Sequence, residues 1–501
     1  MKKNVLALSI AAMIGGFAGA ASAQTAPNAA NLVQSEGGAG HILVVPYFTT
    51  QNNNMSVFHV VNTDTVNGKA LKVRFRGAAN SDDILDFTVF LSPTDVWTGS
   101  VQADANGSYF QTYDKSCTLP NISGGVKTSF VKDRLNPNWT ADKQNANTME
   151  GYLEVLNMAD VVPGKPLFTA TKHVNGVAPC TDSVLNQTLS LNGGDLNAAA
   201  LALGLDTPSG GITGDWYILN VDQTTTFSGA ATSIKAVDGA GANARGNYVL
   251  WPQLDAGVAA TNFTADPLLK SGRIAAASYD LPDLSTPLIA GQTPEQQASA
   301  LTAAVAHSGA TNQYATDAII SAKTDWVLSM PTRRYSVGAD YTQDSKPNTF
   351  LEWNVAGDAY RVFNSGVVDP VTTLPFFAST FTSVDTAGNI CVNTAASTFY
   401  DREESARTSG AVISPGTQKS VRLCGEVSVL SFRDSGTSVL GATVARSNVE
   451  QGSYENGWGS VNFGRRLPVV GASFIKLMNS GGAANGFSGT YGITWPHRYA
   501  D

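Results

Sequence analysis

The sequence predicts a mainly β protein, built from antiparallel β-sandwich domains with a few short helices. Three observations carry this reading. Short apolar, β-branched segments recur every 10–15 residues from position 40 onward. Asn- and Gly-containing turn clusters separate them, and such turns join antiparallel strands. No helix-length segment lies between the early ones, which disfavours the crossovers a parallel sheet needs.

His41-Ile-Leu-Val-Val-Pro-Tyr-Phe48 is the first strand candidate, and Met55-Ser-Val-Phe-His-Val-Val61 follows the turn cluster at 51–54. Leu71-Lys72-Val73-Arg74-Phe75-Arg76 alternates with period two, so Leu71, Val73 and Phe75 are expected inside and the three basic residues in water. Segments at 84–91 and 95–97 continue the series, with turns at Asn67-Gly68 and Asp104-Ala-Asn106-Gly107. Further candidates are 152–156, 216–221, 248–251, 326–330, 350–353, 420–424, 427–432 and 459–463. Two helices are expected. One is Ala/Leu-rich, from Asp195 to Leu203, and stops at Gly204. The other opens with Thr293-Pro294-Glu295-Gln296, which supplies an N-cap, a first-turn proline and a capping-box glutamine, and runs to about His307. The chain divides into a signal segment (1–23), an N-terminal sandwich region with a short helical insertion (24–230), a linker or insertion with one helix (231–300) and a C-terminal β-rich region (301–501). The Ala/Gly-rich run at 228–246 and the Pro/Gly/Thr-rich run at 282–293 read as insertions or linkers.

The N-terminus reads as a cleavable export signal. Lys2 and Lys3 precede an apolar stretch at 5–19, and Ala21-Ser22-Ala23 offers a cleavage site before Gln24. No Cys follows to accept a lipid, and no second span is expected after cleavage. Losing the two lysines takes the net charge from −8 to −10, which disfavours nucleic acid and anionic membrane as partners. Only 14% of the residues are charged, against about 25% in average chains. Neutral hydrogen-bonding residues replace them, as suits an extracellular β-protein. The four cysteines, Cys117, Cys180, Cys391 and Cys424, are even in number and lack metal-site spacing. The expected pairing is Cys117–Cys180 and Cys391–Cys424, nearest neighbours in sequence, each stabilising by about 2–4 kcal/mol.

No catalytic residue is nominated. The chain has no G-x-S-x-G and no H-E-x-x-H, and its histidines, His41, His59, His173, His307 and His497, are scattered. Carboxylates cluster at Asp82, Asp83 and Asp86 and at Asp401, Glu403 and Glu404. A glycosidase would need such a pair across a cleft. The run Asn80-Ser81-Asp82-Asp83 otherwise reads as a solvated turn or, at most, a structural calcium turn. Gly239-Ala-Gly241 with Gly246 departs from a phosphate-loop spacing and reads as a flexible loop. Arg333-Arg334 offers guanidinium forks for a carboxylate or acidic sugar, or else a charged strand end. Trp97, Trp139, Trp251, Trp326, Trp458 and Trp495 would stack on sugars if exposed, or pack in the core.

The segments 40–48, 61–76 and 86–97, the Trp326 segment and the C-terminal stretch from Leu467-Pro-Val-Val-Gly471 to Trp495-Pro-His497 resemble a family of secreted bacterial proteins known only as cell surface proteins. The resemblance implies an envelope location and a β-sandwich N-terminal region, and it implies no catalytic residue. The expected function is an exported, non-enzymatic surface or matrix protein, structural or adhesive, with copies of itself or surface polysaccharide as partners. The alternatives are a secreted carbohydrate-binding or carbohydrate-active protein and an outer-membrane β-barrel.

Overall fold

The computed structural model describes residues 25–253, 258–259, 264–270, 278–279, 281–341, 360–402, 420–433, 438–449, 451, 454–479 and 489–500. The expected signal segment with Ala23 and Gln24, the strand candidate at 350–353, and Glu403 and Glu404 lie outside these residues.

The N-terminal region is a sandwich of two antiparallel sheets. Across the first sheet the strands run Asn31–Gln34, Thr232–Val237, Ile42–Thr49, Glu150–Val161, Gly68–Gly77, Asp83–Leu91 and Cys117–Leu119, with Leu205–Asp206 beside the end of Glu150–Val161. The second sheet runs Thr225–Ala230, Ile212–Asn220, Met55–Asn62, Val96–Asp104, Gly107–Gln111 and Thr128–Ser129. Phe75 and Phe87 of the first sheet meet Phe58, Trp97 and Phe110 of the second, with ring centroids 5.0–5.8 Å apart. Edge-on and tilted ring contacts of this kind add to the burial that holds two sheets together. Gly99 belongs to this core because a Cβ there would lie 2.2 Å from the Phe110 ring.

A second pair of sheets forms late in the chain. One runs Ala396–Asp401, Asn456–Pro468, Ala306–Ala315 and Arg498–Ala500. The other runs Arg446–Val449, Val427–Phe432, Lys323–Ser329, Val470–Asn479 and Gly489–Pro496. Its first two strands pair in parallel, an exception in an otherwise antiparallel set. Trp326 and Phe432 of the latter sheet pack on Tyr314 and Phe399 of the former. The described sheets are open, so the barrel alternative does not match the architecture seen.

The run at 228–246, expected as a linker, instead supplies sheet. Thr232–Val237 pairs with both Asn31–Gln34 and Ile42–Thr49, and so completes the first sheet. Helix formation follows the capping chemistry. Pro294–Ala304 carries the full capping box between Thr293 and Gln296. It ends before His307 because strand Ala306–Ala315 takes over. Ala198–Leu203 is capped by the Asn197 side chain and stopped by left-handed Gly204. Residues 248–251 form no ladder.

The basic side chains of strand Gly68–Gly77 do not face water. Lys72, Arg74 and Arg76 are fully buried, because Gln253, Pro282 and Tyr335 from the later chain pack against them. Arg74 Nη1 donates to the Pro282 carbonyl at 2.8 Å, and its Nε lies 3.1 Å from Asp83. Arg76 Nε donates to Glu154 at 3.2 Å on the neighbouring strand. The hydroxyl of Tyr152, the register partner of Arg76, lies 3.1 Å from both Glu154 Oε1 and the Pro331 carbonyl and has one proton to share between them. Alternation was therefore right about the pleat and wrong about what covers the second face. Arg333 and Arg334 are buried in the same layer. Arg333 Nε bonds Glu426 at 2.6 Å, and Arg334 bonds Asp82 at 3.2 Å and also Asp266.

Two further buried carboxylates fasten the 438–444 segment across the two regions. Glu150 accepts from Thr443 N at 2.7 Å, Val444 N at 3.1 Å and Tyr47 Oη at 3.1 Å. Asp325 accepts from Leu440 N at 3.0 Å and from the hydroxyls of Ser431 and Ser438. Burial pushes both carboxyls up, and these donors oppose the shift.

Because Glu426 is buried around its partner, Arg333→Met should destabilise the protein by about 3–5 kcal/mol. Replacing both residues with apolar ones should recover part of that loss. Urea unfolding of the two variants and the parent checks this.

Candidate binding cleft

Beside strand Asp83–Leu91 opens a cleft of 940 Å³. The Cys117–Cys180 disulfide, with Cα atoms 5.2 Å apart, fixes one wall by tying strand Cys117–Leu119 to the short helices near 182. Asp83, Asp86, Arg134 and Gln253 line the cleft, and Asp133 and Asp182 stand exposed at its rim. The inner carboxylates are committed to the charged layer beneath. Asp83 Oδ2 lies 3.1 Å from Arg74 Nε and 2.8 Å from Arg134 Nη1. Asp86 Oδ2 lies 3.1 Å from Lys72 Nζ and 3.4 Å from Arg74 Nη2. Gln253 donates to the other Asp86 oxygen at 3.0 Å and accepts from Lys72 at 2.9 Å. The oxygens of both carboxylates are thus engaged by Arg74, Arg134, Lys72 and Gln253.

The expected sites resolve as follows. The run Asn80-Ser81-Asp82-Asp83 is buried and is not a solvated turn, and Asp82 parts from Asp83 and Asp86, which share Arg74 on the cleft wall. Asp82 points into the protein, where Arg334 and the Tyr341 hydroxyl, the latter at 2.6 Å, take its oxygens. Burial pushes its carboxyl up and Arg334 pulls it back. Arg333 and Arg334 are not a charged strand end and offer no open fork to a ligand, since their guanidinium groups are bonded internally. Asp104 and Gly107 close a hairpin, Asp104 accepting from Asn106 N at 2.9 Å. Gly241 sits in a turn organised by Asp238, which accepts from Ala240 N and Ala242 N.

Both expected disulfides form, Cys117–Cys180 and Cys391–Cys424. The second joins directly paired residues of adjacent strands. Asp385 approaches Cys391 and Cys424; with both sulfurs in the disulfide, neither is a thiolate ligand.

The histidines are dispersed as the sequence implied. His59 bonds Thr98 and leans on Tyr217, His173 pairs with Asp95 at 3.2 Å, and His307 stacks on Tyr499. Of the six tryptophan candidates, Trp251 is half-buried. Trp97, Trp139 and Trp326 are core residues, whereas Trp458 and Trp495 are 43% and 45% exposed. Sequence reasoning missed Asp133, Arg134 and Gln253, which sit in loops without periodicity or motif, and Asp182, which opens the one-turn helix Asp182–Leu185. The chain matches no known family model, no characterised protein and no solved structure.

His41 and His497 are both buried, and burial holds each at about 4. His497 Nε2 faces the Val327 carbonyl at 2.9 Å and Nδ1 faces the Asn312 amide at 2.9 Å, an arrangement made for the neutral ring. In the unfolded chain each ring takes a proton near pH 6.5. Their contribution is therefore complete above about pH 6.5 and is lost as the pH falls toward 4. The slope is at most about 1.4 kcal/mol per pH unit for each histidine. Comparing urea unfolding of His497→Gln with the parent at pH 6.5, 5.5 and 4.5 should show a stability difference that shrinks as the pH falls. An unchanged difference would contradict the neutral buried ring.

Proposed function

We propose that the protein is exported and works at the cell surface or in the extracellular matrix as a structural or adhesive component. The observation that carries this reading is the pair of disulfides, Cys117–Cys180 and Cys391–Cys424, which leaves no free cysteine. Disulfides of this kind form and persist in oxidising compartments. The export pattern at 1–23 and the resemblance to secreted surface proteins point the same way. The inner cleft carboxylates Asp83 and Asp86, tied to Arg74, Arg134 and Lys72, favour a binding or structural role over acid–base hydrolysis. No described helix is long and apolar enough to cross a membrane.

Cell fractionation with N-terminal sequencing and thiol alkylation tests the proposal. The expected product begins at Gln24, lies in the surface or extracellular fraction, and reacts with alkylating reagent only after reduction. A full-length chain in the cytoplasm with four reactive thiols would overturn it.

A further inference from the structure

The outer face of the sheet containing Asn456–Pro468 carries an ordered, nearly uncharged set of groups that the packing does not use. Register places Tyr400, Trp458 and Gln313 in one row across three strands. The next row is Thr398, Ser460, Thr311 and Arg498. These residues point away from the core. At the adjacent position, Gly459, a Cβ would lie 2.4 Å from Phe399 and 3.2 Å from Trp326, so the inward side is already filled. Tyr400 and Trp458 stack with ring centroids 4.4 Å apart and an interplanar angle of 18°. Even so, Trp458 remains 43% exposed. Beside the rings, Thr311 Oγ1 bonds Ser460 Oγ at 3.3 Å, and Gln313 and Arg498 are exposed.

We propose that this face binds a neutral, extended polysaccharide. A sugar ring presents a flat C–H surface and a rim of hydroxyls. The exposed indole suits the first, since aromatic rings bury large areas at defined geometry. The Thr, Ser and Gln groups can donate to and accept from the second. Rows on a strand face repeat about every 6.6 Å, so a flat, extended chain can meet the aromatic pair and the hydroxyl row at once. With Arg498 the one charged side chain in the two rows, an acidic polymer would find little to pair with. The inference supplies a ligand class for the surface role proposed above and rests on that reading only for where the polysaccharide is met.

The test uses purified mature protein and three probes: microcrystalline cellulose, chitin and amylose. The expected result is retention on at least one of the extended polymers, cellulose or chitin, in preference to helical amylose. Trp458→Ala should weaken that retention about tenfold, and Gln313→Ala should weaken it to a smaller degree. Trp495→Ala, an exposed tryptophan on another sheet, should leave it unchanged. Near-ultraviolet circular dichroism of the buried tryptophans confirms that the variants fold. The proposal is overturned if the parent is retained on neither extended polymer, or if Trp458→Ala is folded and binds as the parent does. Because binding is read on purified protein, these failures leave the location proposal intact, and a cytoplasmic location would leave this result intact.

Discussion

The structure depends on the burial of the first sheet on both faces. One face meets the second sheet through aromatic side chains, as a sandwich should. The other carries Lys72, Arg74 and Arg76 on one strand, with acidic partners on both neighbouring strands: Asp83 and Asp86 on one side and Glu154 on the other. Burying that many charges is costly unless each finds a partner and its remaining hydrogen bonds. The later chain is what completes those bonds. The Pro282 and Pro331 carbonyls, Tyr335 and the Arg333–Glu426 pair belong to it, and its Arg334 reaches across to Asp82. The two regions are thus joined by a layer that tolerates little misplacement, and this sets their relative position more strictly than an apolar contact of similar area would.

The same layer shapes the cleft. Arg74 holds both Asp83 and Asp86, so the position of these carboxylates on the cleft wall is set from behind by the interior. The 438–444 segment plays a parallel part at Glu150, on the same strand as Tyr152 and Glu154. Its amides close over Glu150 and Asp325, which accept from directed N–H and O–H donors.

Much of the fold was legible in the sequence, and the reasons are local. Strand Gly68–Gly77 announced itself by strict alternation, and Pro294–Ala304 by its capping box. The cysteine pairing followed from proximity in sequence. What could not be read is what depends on distant chain segments. Nothing near Arg74 says that Pro282 will cover it. Arg333 and Glu426 are 93 residues apart, and their union is visible only once both regions are folded. The Ala/Gly-rich composition at 228–246 concealed strand Thr232–Val237, since small residues carry weak strand propensity and only the pairing with two neighbours defines it. The cleft was hidden for the same reason, as its walls come from separate segments at 83–86, 116–134, 182–189 and 253. The exposed Trp458 face was half legible: the sequence named the tryptophan as a sugar-stacking candidate, while its exposure is a property of the packed sheet.

The central claim is that the buried charge layer makes the two regions one cooperative unit. Hydrogen exchange read by mass spectrometry across a urea titration tests this most directly, comparing strand Gly68–Gly77 with strand Lys323–Ser329. The account predicts that both lose protection at one common urea midpoint. Strand Lys323–Ser329 exchanging freely at a urea concentration where Gly68–Gly77 stays protected would contradict it.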